Sequence, residues 1–149
     1  KGLHDLFVKT VKYNGLESVI FPYNTPVQEI PSDFNGEFSL VLCNPPYKKE
    51  NSGIVNPEES DALARHELKI TFAEIVSAAE KLLKRGGRFC ACQRIERLPE
   101  VFSLMQNANL NPSRLRLISG GADKKPYLFL IEGVKGVNRQ FKVEPLLIN

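Results

Sequence analysis

Leu3, Leu6, Phe7 and Val11 recur at the spacing of one helix face, and Asn14-Gly15 then supplies the left-handed stop that helix C-termini favour. The first element is therefore a helix ending near Tyr13. Val19-Ile20-Phe21 reads as a short strand, followed by a loop holding Pro22, Pro26 and Pro31. From Phe38 to Cys43 the run is nearly all apolar, the pattern of a parallel strand buried on both faces. Periodicity fails from Asn44 to near Ala62, where three Pro and one Gly interrupt a polar stretch. Loops of that length are commonly lids or binding segments. Residues 61–69 read as a further helical turn or two. Thr71-Phe72-Ala73-Glu74 has the form of a capping box, and Phe72, Ile75, Val76, Ala79, Leu82 and Leu83 make the apolar stripe of a helix closed by Gly86-Gly87. A strand over Arg88–Arg94 follows. Leu98, Val101, Phe102 and Met105 then mark a helix with Pro99 near its start. Leu115 and Leu117 alternate with Arg114 and Arg116 in another strand, Tyr127–Ile131 is a strong one, and Phe141–Ile148 adds a short extended piece. This order is that of an α/β chain.

Composition narrows the class. The chain has 149 residues, 42% hydrophobic and 25% charged, as expected of one soluble globular domain with a core of its own. No apolar run approaches the ~18 residues of a membrane span, and the start, Lys1-Gly2-Leu3-His4-Asp5, lacks a signal-peptide apolar block. Cys43, Cys90 and Cys92 all sit in apolar runs and are odd in number, which points to reduced core thiols in the cytoplasm. Cys90-x-Cys92 has no further ligands at metal-binding spacing, so no metal site is expected. Charge is uneven: residues 1–47 carry three Lys against five acids, and residues 48–149 carry seventeen Lys and Arg against twelve acids. The basic part suits an anionic partner such as RNA or DNA, and equally suits a merely solvated surface.

Asn44-Pro45-Pro46-Tyr47 leaves the end of the apolar strand, the end at which open α/β sheets bind ligands. The prolines fix the backbone and keep only carbonyl acceptors, Asn44 adds a side-chain carbonyl, and Tyr47 adds a flat face. Two acceptors and an aromatic ring would hold a planar amine. The plainer alternative is that Pro-Pro simply ends the strand.

At these residues the chain resembles the Rossmann-like, S-adenosylmethionine-dependent amino-methyltransferases, whose fourth motif is Asn-Pro-Pro-Tyr. Val41-Leu42-Cys43-Asn44-Pro45-Pro46-Tyr47, Asn56-Pro57, Ala64-Arg65-His66-Glu67 and Leu82-Leu83-Lys84-Arg85-Gly86-Gly87-Arg88 are similar to the bacterial transfer-RNA adenine methyltransferases that act beside the anticodon of valine tRNA. Arg94-Ile95-Glu96-Arg97-Leu98 and Leu128-Phe129-Leu130-Ile131-Glu132-Gly133 extend the likeness. The resemblance implies a class I methyltransferase sheet over residues 1–149, S-adenosylmethionine as cofactor, and methyl transfer to the 6-amino group of a tRNA adenine. It implies catalytic roles for Asn44, Pro45, Pro46 and Tyr47 and cofactor contacts from Asn24, Thr25 and Asn44. Lys48, Lys49, Arg65 and His66 would meet the RNA, or else lie on solvated surfaces.

Two departures matter. The family cradles the cofactor's methionine end on a Gly-x-Gly loop, and this chain has no Gly-x-Gly. The chain therefore reads as the C-terminal part of such a domain, the cofactor-loop unit of roughly 90–100 residues being absent. Asn24-Thr25 also stands where an acidic residue is usual. A protein-glutamine or DNA-adenine substrate, and a non-catalytic RNA-contacting piece, remain open alternatives. Without its neighbouring strands the Phe38–Cys43 strand is expected to present an apolar edge, with either a homodimer that shields it or residues 1–35 packed away from the main sheet.

Overall fold

The computed structural model describes residues 2–45 and 70–149. It contains two compact units, residues 1–30 and 31–149.

In the first unit helix α1 spans Gly2–Tyr13. It stops as its sequence dictates: Gly15 takes φ +64°, its N–H donates to the Lys12 carbonyl and the Leu16 N–H donates to that of Val11. This paired closure satisfies carbonyls that the helix end would otherwise orphan. The helix buries only Val11, while Leu3, Leu6 and Phe7 are exposed. Val19–Phe21 is not a strand. The N–H groups of Val19 and Ile20 both turn back to the Leu16 carbonyl, so the segment is spent on a turn, and among the described residues no strand lies beside it to supply a ladder.

The second unit is built on a six-stranded mixed sheet. Its elements are β1 (Phe38–Cys43), α2 (Phe72–Leu82), β2 (Leu83–Arg94), α3 (Leu98–Asn107), β3 (Leu110–Ser119), β4 (Leu128–Lys135) and the two-residue strands β5 (Lys142–Val143) and β6 (Leu147–Ile148). The spatial order is β1-β2-β4-β3-β5, with β6 also on β3. β1 and β2 run parallel, whereas β4 is antiparallel to both β2 and β3 and lies between them. The β3–β4 connection is pinned by the buried Ser119, whose Oγ lies 2.7 Å from the carbonyl oxygens of both Gly121 and Lys124.

One face of the sheet carries the core. α2 begins at the anticipated capping box: the Glu74 N–H donates to Thr71 Oγ1 at 3.2 Å and the Thr71 N–H donates to Glu74 Oε2 at 2.7 Å. The helix then buries Phe72, Ile75, Val76 and Ala79, each of the larger three contributing about 1.5–3 kcal/mol. From α3, Val101 and Met105 are fully buried. They meet Phe89 and Ala91 of β2 and Phe129 and Ile131 of β4, the alternate residues that share this face. α3 comes close because β4 has Gly133 there. A Cβ at that position would strike Met105 Cε and stand 2.9 Å from the Leu110 carbonyl oxygen.

Among the described residues of this unit no helix covers the other face, and this corrects two expectations. β1 is not buried on both sides: Leu42 is 70% exposed, and β2 is the only strand paired with β1 among the described residues. Cys90 and Cys92 are not core thiols. They alternate with Phe89, Ala91 and Gln93, so they fall on the open face and are half-buried. The helix predicted to close at Gly86-Gly87 ends earlier, at Leu82, and Gly86 (φ +79°) serves the irregular start of β2, between the Phe38–Leu83 and Leu40–Arg88 pairings.

Candidate active site at the end of β1

β1 ends where its sequence stops supplying ladder donors. β1 closes at Cys43, and Pro45 has no N–H with which to continue a ladder. Pro45 is buried and Asn44 is exposed. Parallel pairing sets Leu42 opposite Cys90 and Cys43 opposite Ala91, which brings Cys92 beside Asn44. The Cys92 thiol donates to Asn44 Oδ1, with Sγ and Oδ1 3.2 Å apart.

From this corner a groove of about 470 Å³ runs across the open face, floored by Leu42, Cys90 and Leu130 and walled by charge. Glu132, on β4, is the hub of the wall. Its carboxylate accepts from the buried Ser113 hydroxyl at 2.7 Å and lies 3.5 Å from Arg88 and 4.0 Å from Arg114. Arg114 donates to Glu144 at 2.9 Å, and Arg116 lies 3.8 Å from the same carboxylate. The charges of Arg114 and Arg116 are thus compensated by two glutamates. Glu144 holds the Arg114 guanidinium even more firmly charged than usual.

Burial, and secondarily Cys92, pushes the Cys43 thiol above its ordinary range; burial and Glu132 do the same for Cys90, against Arg88 and Arg114. These two sulfurs are therefore neutral thiols near pH 7, not nucleophiles. At the same end of the sheet Arg97 donates to Glu100 through two nitrogens, at 3.1 and 2.7 Å, with its guanidinium 5.8 Å from the Phe72 ring centre. Gln93 is fully buried, its Oε1 accepting from the Arg94 N–H and its Nε2 without a partner.

The structure thus brings together Asn44 and Pro45 of the predicted set. Pro46, Tyr47, Lys48, Lys49, Arg65 and His66 lie outside the described residues. Asn24 and Thr25 belong to the first unit, exposed on the stretch before the Val27–Glu29 turn. Sequence reasoning missed Cys92 as the neighbour of Asn44. The signal was present in the period-2 alternation of β2, but reading it requires the parallel register with β1. Among the described residues no cluster of His, Cys, Asp or Glu is suited to a metal ion, and no helix is long and apolar enough to cross a membrane.

Comparison with solved structures finds a similar fold in a predicted O-methyltransferase from Agrobacterium tumefaciens, with a TM-score of 0.70 and 14% identity, over 99% of this chain and 64% of that one. The fold is that of a class I methyltransferase. Within such a Rossmann-like sheet, Asn44-Pro45 occupies a strand's carboxyl end, where this class of fold places its ligands. Sequence comparison agrees. A Flavobacteriaceae protein named tRNA1(Val) (adenine(37)-N6)-methyltransferase is 28% identical over 96 residues, 64% of this chain and 39% of that protein. A Parabacteroides distasonis protein of the same name is 27% identical over 110 residues, 74% of this chain and 46% of its own length. The chain thus matches less than half the length of these curated relatives, and the resemblance read from its motifs is borne out. No family model matches the chain.

Proposed function

We propose that this chain is the acceptor-side part of an S-adenosylmethionine-dependent enzyme that methylates the 6-amino group of an adenine in tRNA. The observation that carries the reading is the placement of Asn44-Pro45 at the carboxyl end of β1 in a methyltransferase sheet. The relatives' names support adenine in tRNA as the substrate.

The exocyclic nitrogen of adenine is a poor nucleophile because its lone pair is conjugated into the ring. Asn44 Oδ1 and the Pro45 carbonyl oxygen accept its two hydrogens and draw the nitrogen towards a tetrahedral shape. The lone pair then points out of the ring plane, and orientation supplies much of the acceleration. When bound, S-adenosylmethionine supplies the electrophilic methyl group; the amine's surplus proton passes to solvent after transfer. Tyr47 stacks on the extruded base. Lys48, Lys49, Arg65 and His66 take the RNA, and Pro46 keeps the turn rigid.

The donor set of this chain fits only part of the cofactor. Asn44 offers an amide at the reacting end, and the resemblance assigns Asn24 and Thr25 to the adenine end. The backbone cradle of a Gly-x-Gly loop is not in the sequence. We therefore expect this chain by itself to bind cofactor weakly and to be inactive, which calorimetry with S-adenosylmethionine checks. The edge of β1 that has no partner strand among the described residues supports self-association of the isolated chain, readable by analytical ultracentrifugation. Cytoplasmic residence follows from the proposed substrate.

The decisive experiment is methyl transfer by the complete enzyme to a tRNA transcript, with DNA and a glutamine-bearing protein as competing substrates. Asn44→Ala is expected to lower turnover about 10–1,000-fold with cofactor affinity nearly unchanged. Wild-type turnover in that variant would overturn the assignment.

A further inference from the structure

We infer that Arg94, Lys124 and Lys125 form the surface that carries the RNA backbone flanking the target adenine. The inference rests on the reading of Asn44 as the acceptor for the target amine, and it names where the rest of that substrate runs.

Topology places these cations. β1 and β2 are parallel, and β4 is antiparallel to both β2 and β3, so β1, β2 and β3 all finish at one end of the sheet. Asn44 leaves β1 there. Arg94 closes β2 at the same end, opposite Leu128 where β4 begins, and Leu128 is also paired with Ile118 of β3. The β3–β4 connection, which holds Lys124 and Lys125, therefore belongs to the end that carries Asn44. Arg94 stands two residues beyond Cys92, the neighbour of Asn44, and shares its face of the strand. From β1 to β3 is three strand spacings, about 14–15 Å, a span that a few nucleotides cover.

Charge distinguishes these residues from the arginines nearby. Arg88, Arg97, Arg114 and Arg116 each lie within 4.0 Å of a glutamate, so their charge is met inside the protein. Arg94, Lys124 and Lys125 are exposed, and among the described residues no carboxylate, Glu96 and Asp123 included, forms an ion pair with them. Their counterions are in solvent, free to be released when phosphates take their place. The loop that bears the lysines is also ordered in advance. Buried Ser119 ties the carbonyls of Gly121 and Lys124, the Lys124 N–H donates to Gly121, and the Tyr127 N–H donates to Ile118. The Lys124 stem lies over Gly121, 3.5 Å from where a Cβ would stand. Such a loop loses little entropy on binding. Charge alone does not choose this end, because Lys84 and Arg85 are exposed at the start of β2, about 30 Å away along the strand. Position relative to Asn44 chooses it.

The test measures binding of a short RNA stem-loop carrying the target adenine to the complete enzyme over a range of salt, with kcat and KM for its methylation. Lys124→Gln with Lys125→Gln is expected to lower the slope of log affinity against log salt by about one to two, and Arg94→Gln to remove about one more. The KM for the RNA should rise about 10-fold near physiological salt in the double lysine variant. Lys84→Gln with Arg85→Gln removes the same charge from the far end and should leave slope and KM nearly unchanged. An unchanged slope in the lysine variant overturns the inference, and so does an equal loss in the far-end variant or a loss confined to kcat. Asn44→Ala separates the two levels. Normal turnover in that variant removes the acceptor reading and this inference with it, whereas slow turnover there beside an unaltered lysine variant overturns this inference alone.

Discussion

Replacing Glu132 by Ala tests whether the charged wall of the open face is organised around a hub or is a set of independent surface pairs. The Glu132 side chain is 11% exposed. Its strongest partner is Ser113, buried, donating at 2.7 Å; a hydrogen bond to a charged group is worth about 1.5–3 kcal/mol. The lower end applies, because the hydroxyl also lies 3.3 Å from the Glu132 backbone carbonyl, which survives the substitution. The 3.5 Å pair with half-exposed Arg88 adds about 0.2–1 kcal/mol. Glu132→Ala should therefore cost about 1.7–2.5 kcal/mol in urea unfolding, whereas Arg88→Met should cost no more than about 1 kcal/mol. Glu132→Gln keeps an acceptor for Ser113 and should fall between them. The m-value should not change, since the same surface is exposed on unfolding. Equal costs for Glu132→Ala and Arg88→Met would refute the hub, and a cost for Glu132→Ala below about 0.5 kcal/mol, the level of an ordinary surface change, would dismiss the Ser113 bond as well.

Three other outcomes are expected. Gly133→Ala should destabilise by about 1–3 kcal/mol in the same assay, because the Leu110 backbone oxygen cannot retreat from the new methyl group; a neutral result would mean that α3 and β3 shift freely. Neutralising Lys48 and Lys49 together should reduce the slope of log affinity for tRNA against log salt by about one to two. Arg114→Gln should change it less, its charge being paired with Glu144. Stability should fall as pH rises through the ordinary thiol value of 9.0, because Cys43 and Cys90 titrate above it in the folded chain and the native state then holds more protons than the unfolded one. Cys90→Ser should flatten that decline in pH-dependent melting, and an unchanged decline would place its origin elsewhere.

Local signals in the sequence were reliable where one residue's chemistry sufficed. Thr71 and Glu74 fixed the start of α2, Asn14-Gly15 fixed the end of α1, and Pro45 marked the end of β1. What misled was burial, which is a property of neighbours. Phe38–Cys43 and the first helix are apolar enough for two-sided or one-sided cover, yet Leu42, Leu3 and Leu6 stay exposed in a chain whose described residues place no layer over them. The Val19–Phe21 triplet has strand-like side chains but no ladder partner, and a turn took its N–H groups. Pairings between distant segments were invisible for a related reason. Arg114 and Glu144 lie thirty residues apart, and Asn44 and Cys92 forty-eight; only strand register brings either pair together.

The placement of β4 has a consequence for how the chain is made. The last long strand to leave the ribosome lies in the middle of the sheet, joining β2 to β3. Until Lys135 has been synthesised, no backbone ladder among the described residues connects the β1–β2 pair to β3. At about 5–20 residues per second, that interval lasts for seconds. During it the inner edge of β2, later paired from Arg88 to Arg94, has no ladder partner among the described residues. Nascent chains stalled before Leu128 should therefore bind chaperones that recognise unpaired apolar strands, and release by these chaperones should coincide with the emergence of Leu128–Lys135.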